Sequence, residues 1–195
     1  RIMIGWMQSW DSNIRPADQK WSCMMTIPRE LHIEQGRILQ NPVREIENYH
    51  RNAVCYQNKE ISGNCQMEDI HGRVLDMMVE IVRGDFHQFT ISFAQNERYH
   101  TDFTIQKDSK MIEMNRTYSG MVRDAAAIRK SKIKTSTDKL QLRLILDKYS
   151  AEIFINDGSQ VLSMTYYTPL DADGISFECD GDTVIDIEKH GIFVR

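Results

Sequence analysis

Apolar and polar positions alternate through most of the chain beyond residue 74. Leu75, Met77, Val79 and Ile81 point one way, and Asp76 and Glu80 the other. Phe89, Ile91 and Phe93 alternate with Thr90 and Ser92, and Leu140, Leu142, Leu144 and Leu146 alternate with Gln141 and Arg143. Ile153 and Ile155 alternate with Glu152 and Phe154, after which Asn156-Asp157-Gly158 supplies a hairpin turn into Val161–Tyr167. Two further strands, 174–179 and 183–189, flank a turn at Asp180-Gly181. Short strands at regular intervals, each with one apolar face, predict an all-β domain built as an antiparallel two-sheet sandwich. Residues 54–73 read as a polar loop with one edge strand, and 124–138 as a loop.

The first third is patterned differently. Apolar stretches at 2–7 and 23–27 are separated by a polar loop, and Pro28 closes the second. Leu31-His32-Ile33 resumes an alternation, and Gln35-Gly36 turns the chain into Ile38-Leu39. One helix is expected, from Asn41 to Asn52. Asn41 can cap it, Pro42 suits its first position, and Val43, Ile46, Tyr49 and Ala53 form a stripe at steps of about three residues. All three tryptophans (6, 10 and 21) fall in this opening segment, as a small local core would require. Trp6 fits packing inside a sheet, while Trp10, beside Asp11 at the start of a polar loop, is placed to face a ligand. Arg29 and Glu30 read as a local ion pair at a strand end. Arg1-Ile2-Met3-Ile4 reads as a strand already under way, without an initiator Met and too short for a signal peptide. The expectation is a cut through an existing structure.

Composition narrows the function. The 195 residues carry 24 basic and 28 acidic side chains, a formal charge of −4, which argues against a nucleic-acid partner. No apolar run approaches the roughly 18 residues of a membrane span. The four cysteines (23, 55, 65 and 179) form no close pair of the zinc or redox type, so separate thiols and a cytoplasmic setting are expected. A bridge between Cys55 and Cys65 is the alternative in an oxidising compartment. The six histidines are scattered without metal-helix spacing, and no phosphate loop, dinucleotide fingerprint, HExxH or GxSxG is present. No cofactor and no metal are expected. Glu178-Cys179-Asp180 reads as the structural end of a strand.

Several stretches resemble glycoside hydrolase family 32, the invertase, sucrose-6-phosphate hydrolase, levanase and inulinase family. Gly5-Trp6-Met7-Gln8-Ser9-Trp10, Met25-Thr26-Ile27-Pro28-Arg29-Glu30-Leu31 and Gly36-Arg37-Ile38-Leu39-Gln40-Asn41-Pro42 resemble its last propeller blade and linker. Asn115-Arg116-Thr117-Tyr118-Ser119-Gly120 is similar to its Asp-Arg-Ser-x-Ser-Gly motif, with Asn for Asp. Residues from Asp147 through Glu152, Phe154 and Asn156 to Gly158 resemble the Asp-x-Ser-x-Glu-x-Phe-x-Asn-x-Gly motif of its C-terminal sandwich.

The resemblance implies a remnant of the last blade of a five-bladed propeller at 1–40, a linker helix at 41–53 and a sandwich at 54–195. It implies cleavage of β-fructosides with retention, by an Asp nucleophile, a stabilising Arg-Asp-Pro and a Glu-Cys acid/base. None of these has a matching position, because Glu178-Cys179 falls in the sandwich. The catalytic set is therefore empty. Trp10, with Trp6 as fallback, is the position carried over as substrate-binding. The expectation is a C-terminal portion of a fructoside hydrolase that meets sucrose or fructan through a propeller outside this chain. The alternatives are a stand-alone fructan-binding module and a structural scaffold. Unpaired blade edges would leave 1–34 either self-associating into a homo-oligomer or folded back on the sandwich.

Overall fold

The computed structural model describes residues 1–8, 14–16, 19–122, 126–134 and 140–194. Its architecture is antiparallel β. A three-stranded sheet, β1 (Ile2–Met3), β2 (Arg29–Glu34) and β3 (Arg37–Pro42), precedes a curled ten-stranded one. The turn joining β2 to β3 places Gln35 and Gly36 in left-handed conformations, as the sequence predicts. Among the described residues no helix is long and apolar enough to cross a membrane.

The large sheet comprises β4 (His50–His71), β5 (Leu75–Asp85), β6 (Gln88–Gln95), β7 (Thr101–Gln106), β8 (Met111–Asn115), β9 (Ile128–Lys132), β10 (Leu140–Asp147), β11 (Ser150–Ile155), β12 (Gln160–Thr165) and β13 (Gly174–Ile192). Strand β13 makes it a sandwich. Along Gly174–Cys179 it pairs with β6, and along Asp182–Gly191 with β5, so it passes from one layer into the other. One layer runs β12-β11-β10-β5-β13 and the other β13-β6-β7-β8-β9, while β4 follows β13 on its far side through both.

The register explains the core. Leu140, Leu142, Leu144 and Leu146 lie opposite Ile81, Val79, Met77 and Leu75, and Ile153 and Ile155 continue the row on β11. Phe89, Ile91, Phe93, Phe103, Ile105 and Phe177 fill the facing side, all fully buried. Cross-strand pairs of this kind are the unit of sheet stabilisation.

In its strands and helix the structure departs from the sequence expectations at four places. The helix of 41–52 is a single 3-10 stretch, Arg44–Tyr49, because Pro42 still belongs to β3, opposite Arg29, and Val43 donates no side-chain cap. Three-residue steps, which suggested a helical stripe, are the 3-10 period itself. Residues 54–73 are not a loop but most of β4, a 22-residue strand. The strands at 174–179 and 183–189 are one strand, interrupted by a bulge between Cys179 and Asp182. Asp180 there accepts the backbone N–H groups of His87 and Gln88 at 2.9 and 2.8 Å. Within 124–138, expected to be a loop, Ile128–Lys132 form β9, paired with β8. The four cysteines are separate thiols, as expected, and the alternative bridge cannot form because Cys55 and Cys65 stand ten residues apart on β4, roughly 30 Å along a strand.

Candidate functional site: the seam between hairpin and sandwich

On β11 the even positions, Glu152 and Phe154, point away from the core row of Ile153 and Ile155. A surface carboxylate and an exposed ring would be the ordinary result. Both are instead 2% exposed, because the β2–β3 hairpin lies over them.

Arg29, at the start of β2, is 6% exposed and forms the centre of this seam. Its Nε donates to Glu152 Oε2 at 3.0 Å, and Nη2 donates to the same oxygen. Nη2 also donates to Ser163 Oγ at 2.6 Å and Nη1 to Gln40 Oε1 at 2.9 Å. The guanidinium stands 5.4 Å from the centre of the Phe154 ring. The second carboxylate oxygen of Glu152 accepts the Ile27 N–H at 2.6 Å. Burial pushes the Glu152 carboxyl above its ordinary range, against the opposing pull of the Ile27 amide and Arg29. The local pair expected between Arg29 and Glu30 is thus corrected: the partner of Arg29 is 123 residues away, and Glu30 instead faces His32 and Arg44.

The turn after β11 closes the other end of the seam. Asn156, Asp157 and Gly158 are all left-handed, and Asn156 Oδ1 accepts the Gln141 N–H at 2.9 Å. Gln40 of β3 donates its N–H to the Gly158 carbonyl at 2.9 Å. A Cβ on Gly158 would lie 1.9 Å from the Gln40 carbonyl oxygen. Gly158→Ala is therefore expected to lose about 2–3 kcal/mol in denaturant unfolding through combined strain and displacement of β3. An unchanged midpoint would show that Gln40 does not rest on this turn.

Three further arginines hold the sandwich itself. Arg73 donates to the carbonyls of Pro169, Ala172 and Thr168 at 2.8, 3.0 and 3.3 Å and to that of Lys148, with its guanidinium 5.0 Å from the Tyr166 ring centre. Arg116 donates to the Thr165 carbonyl at 2.7 Å and the Ala126 carbonyl at 3.2 Å, and burial lowers its pKa. Arg143 meets Asp76 through Nε and Nη2, and Asp76 also faces His50 at 3.0 Å. Burial alone would lower the Arg143 pKa, but Asp76 and Glu47 outweigh it and the pKa rises.

Of the two substrate-binding candidates, Trp10 lies outside the described residues. Trp6 forms an isolated bridge with Met25 and is 66% exposed, which corrects the expectation that it packs inside a sheet. Trp21 is 51% exposed, so the tryptophan core is not formed by these two rings. The opening segment is anchored instead by Ile14, packed with Tyr149 and Tyr167, and by Gln8, whose Oε1 accepts the Tyr167 hydroxyl at 2.7 Å. Ile2, Ile4, Met25, Ile33 and Ile38 remain exposed on the small sheet and beside it. Of the two alternatives for 1–34, this segment therefore rests on the sandwich through Arg29 and Ile14 while still presenting apolar surface. Among the described residues no His, Cys, Asp and Glu cluster could hold a metal ion.

Sequence reasoning identified Glu152 only as part of a motif. Its burial on the outer face of β11 became visible once the hairpin was in place. The motif residues Glu152, Phe154 and Gly158 all turn out to meet the opening segment.

Two family models match the chain. The family model described as Glycosyl hydrolases family 32 N-terminal domain matches residues 1–42, and that described as Glycosyl hydrolases family 32 C terminal matches 45–191. A probable sucrose-6-phosphate hydrolase of Vibrio cholerae is 29% identical over 90% of this chain and 30% of its own length. A sucrose-6-phosphate hydrolase of Staphylococcus xylosus is 28% identical over 98% of this chain and 39% of its own. Among solved structures, sucrose-6-phosphate hydrolase from Lactobacillus gasseri superposes with a TM-score of 0.81 at 21% identity, covering 98% of this chain and 38% of that one. The exo-inulinase of Aspergillus awamori gives 0.81 at 18% identity, over 98% and 40%. The chain thus spans between 30% and 39% of the length of these two curated relatives. With its seam joining two segments that match the two domains in order, the chain belongs to glycoside hydrolase family 32.

Proposed function

We propose that this chain is the C-terminal portion of a retaining fructoside hydrolase, of the β-fructofuranosidase or sucrose-6-phosphate hydrolase type. Its sandwich braces the last blade of the catalytic propeller and performs no hydrolysis alone. The observation that carries this reading is the Arg29–Glu152 seam, which ties the blade-like hairpin to the sandwich with buried charge. The exposed apolar residues of the small sheet support it, since neighbouring blades would cover them.

Retaining glycoside cleavage needs one carboxylate to attack and one carboxylic acid to protonate the leaving oxygen, about 5–5.5 Å apart. Among the described residues the two deeply buried carboxylates, Asp76 and Glu152, are each held by a guanidinium. A carboxylate buried against a guanidinium faces the protein interior and is not presented to a substrate carbon or leaving oxygen. The role of this part is to hold the geometry of that blade, on which the catalytic propeller depends. Trp6, exposed beside the small sheet, and Trp10 are assigned to the substrate side of that blade. The free cysteines support a reducing, cytoplasmic compartment.

The test is turnover. Purified 1–195 is expected to release no glucose or fructose from sucrose, sucrose 6-phosphate or inulin, while a longer protein carrying the preceding blades does. Hydrolysis by 1–195 that disappears when one of its own residues is substituted would overturn the reading.

A further inference from the structure

The outward face of the layer β4-β13-β6-β7-β8 forms a hollow of about 390 Å³ that shares no lining residue with the seam. Its lining comes from the positions that alternate with the core phenylalanines: Thr90 and Ser92 on β6, Asp102, Thr104 and Gln106 on β7, Ser176 on β13. Outer sheet faces ordinarily stand clear of the protein, yet Thr90 and Ser176 are buried at 7% and 2% exposure, which shows the depth of the depression. The floor is organised by hydroxyl contacts. Thr90 and Thr104 meet at 3.1 Å, Ser92 donates to Asp102 at 2.7 Å, and Ser176 donates to Gln95 at 2.8 Å.

The chemistry excludes most ligands. Among the described residues no large apolar side chain lines the hollow, so an apolar molecule gains nothing there. Asp102, Glu113 and Glu178 make it acidic, which repels phosphate and nucleic acid. Asp102 already faces His100 and Glu113 faces Lys130, and no described cluster suits a metal. What remains is a neutral, polyhydroxylated molecule that exchanges hydrogen bonds with hydroxyls, amides and carboxylates. A ring is also available at the rim. His100 lines the hollow, and Tyr118, 61% exposed, lies against it with ring centres 5.0 Å apart. Five adjacent strands span roughly 19 Å, enough for several sugar units in a row.

We infer that this hollow binds a neutral oligosaccharide, with Tyr118 stacking on a sugar ring and the β6–β7 hydroxyls and carboxylate reading its hydroxyls. The choice of a fructan as that oligosaccharide rests on the proposed function. Such a site would hold polymeric substrate near the enzyme, apart from any site on the hairpin.

The test is titration of the 1–195 chain, followed by calorimetry and by backbone amide shifts. The probes are inulin-type oligosaccharide and, in parallel, an isomalto-oligosaccharide of equal length. Saturable fructan binding with shifts confined to β6, β7 and Tyr118 is expected. Tyr118→Ala, at an exposed position, should weaken it about tenfold without moving the thermal midpoint. Gln106→Ala provides a second, independent loss. Fructan binding that maps to Trp6 and the hairpin would overturn the site while leaving the fructoside reading intact. So would binding untouched by both substitutions, or no binding of either sugar. Glucan binding in the hollow without fructan binding would overturn the assigned ligand, and hydrolysis by the longer protein judges the fructoside reading separately.

Discussion

Glu152→Ala is expected to destabilise the chain by about 3–5 kcal/mol, because it leaves the Arg29 guanidinium buried without a counter-charge. Glu152 accepts from Arg29 and from the Ile27 amide, so the substitution also orphans a backbone donor at the entry to β2. For a chain of this size the loss corresponds to a fall in melting temperature on the order of 10 °C. Scanning calorimetry at neutral pH measures it. Glu152→Gln keeps an acceptor for Ile27 and should cost less. Replacing both partners, as Arg29→Met with Glu152→Met, should recover most of the loss, since an apolar pair leaves no unmet charge. A single Ala variant that melts with the parent protein would mean that Arg29 finds water or another partner, and that the seam is incidental.

Arg73→Met should be comparably severe, at about 3–5 kcal/mol. Four carbonyls, from Lys148, Thr168, Pro169 and Ala172, converge on this one guanidinium. A methionine fills similar volume but takes this donor from all four. The Pro169 carbonyl keeps the Ala172 N–H as a backbone partner, and each buried unmet acceptor costs about 1–3 kcal/mol. The planar fork is what reaches them together, so Arg73→Lys should restore only part of the loss even though the charge is kept. Urea unfolding distinguishes these cases, with a lower midpoint and an unchanged slope for Met and an intermediate midpoint for Lys. A lysine variant equal to the parent would assign the effect to charge alone.

Much of the fold was legible in the sequence because burial on one side of a sheet forces period two. The rows at 75–81, 89–93, 140–146 and 153–155 each became a strand with the expected face inward. The Asn156-Asp157-Gly158 turn was equally plain, since consecutive left-handed residues favour those side chains. Strand β4 was not legible because it lies along the outside of β13, where most of its residues are exposed on both faces and no alternation is imposed. The bulge at Asp180-Gly181 has the composition of a turn, and only the partner strand shows that the chain continues straight. The 3-10 stretch shared its three-residue spacing with a helix stripe. The seam was the least visible part. Arg29 sits beside Glu30, which made a local pair the economical reading, while the residue that holds it is on β11. Long-range ion pairing leaves no periodic trace in a single sequence. The motif containing Glu152 marked the place without saying what it touched.

Amide hydrogen exchange across β2 and β3 tests the central claim most directly. If the sandwich holds the blade-like hairpin, the amides of Leu31, His32 and Gln40 should be protected in the parent chain. In Glu152→Ala they should exchange much faster, while β5 and β10 stay protected. Equal exchange of the hairpin in both proteins, whether slow or fast, would contradict the account.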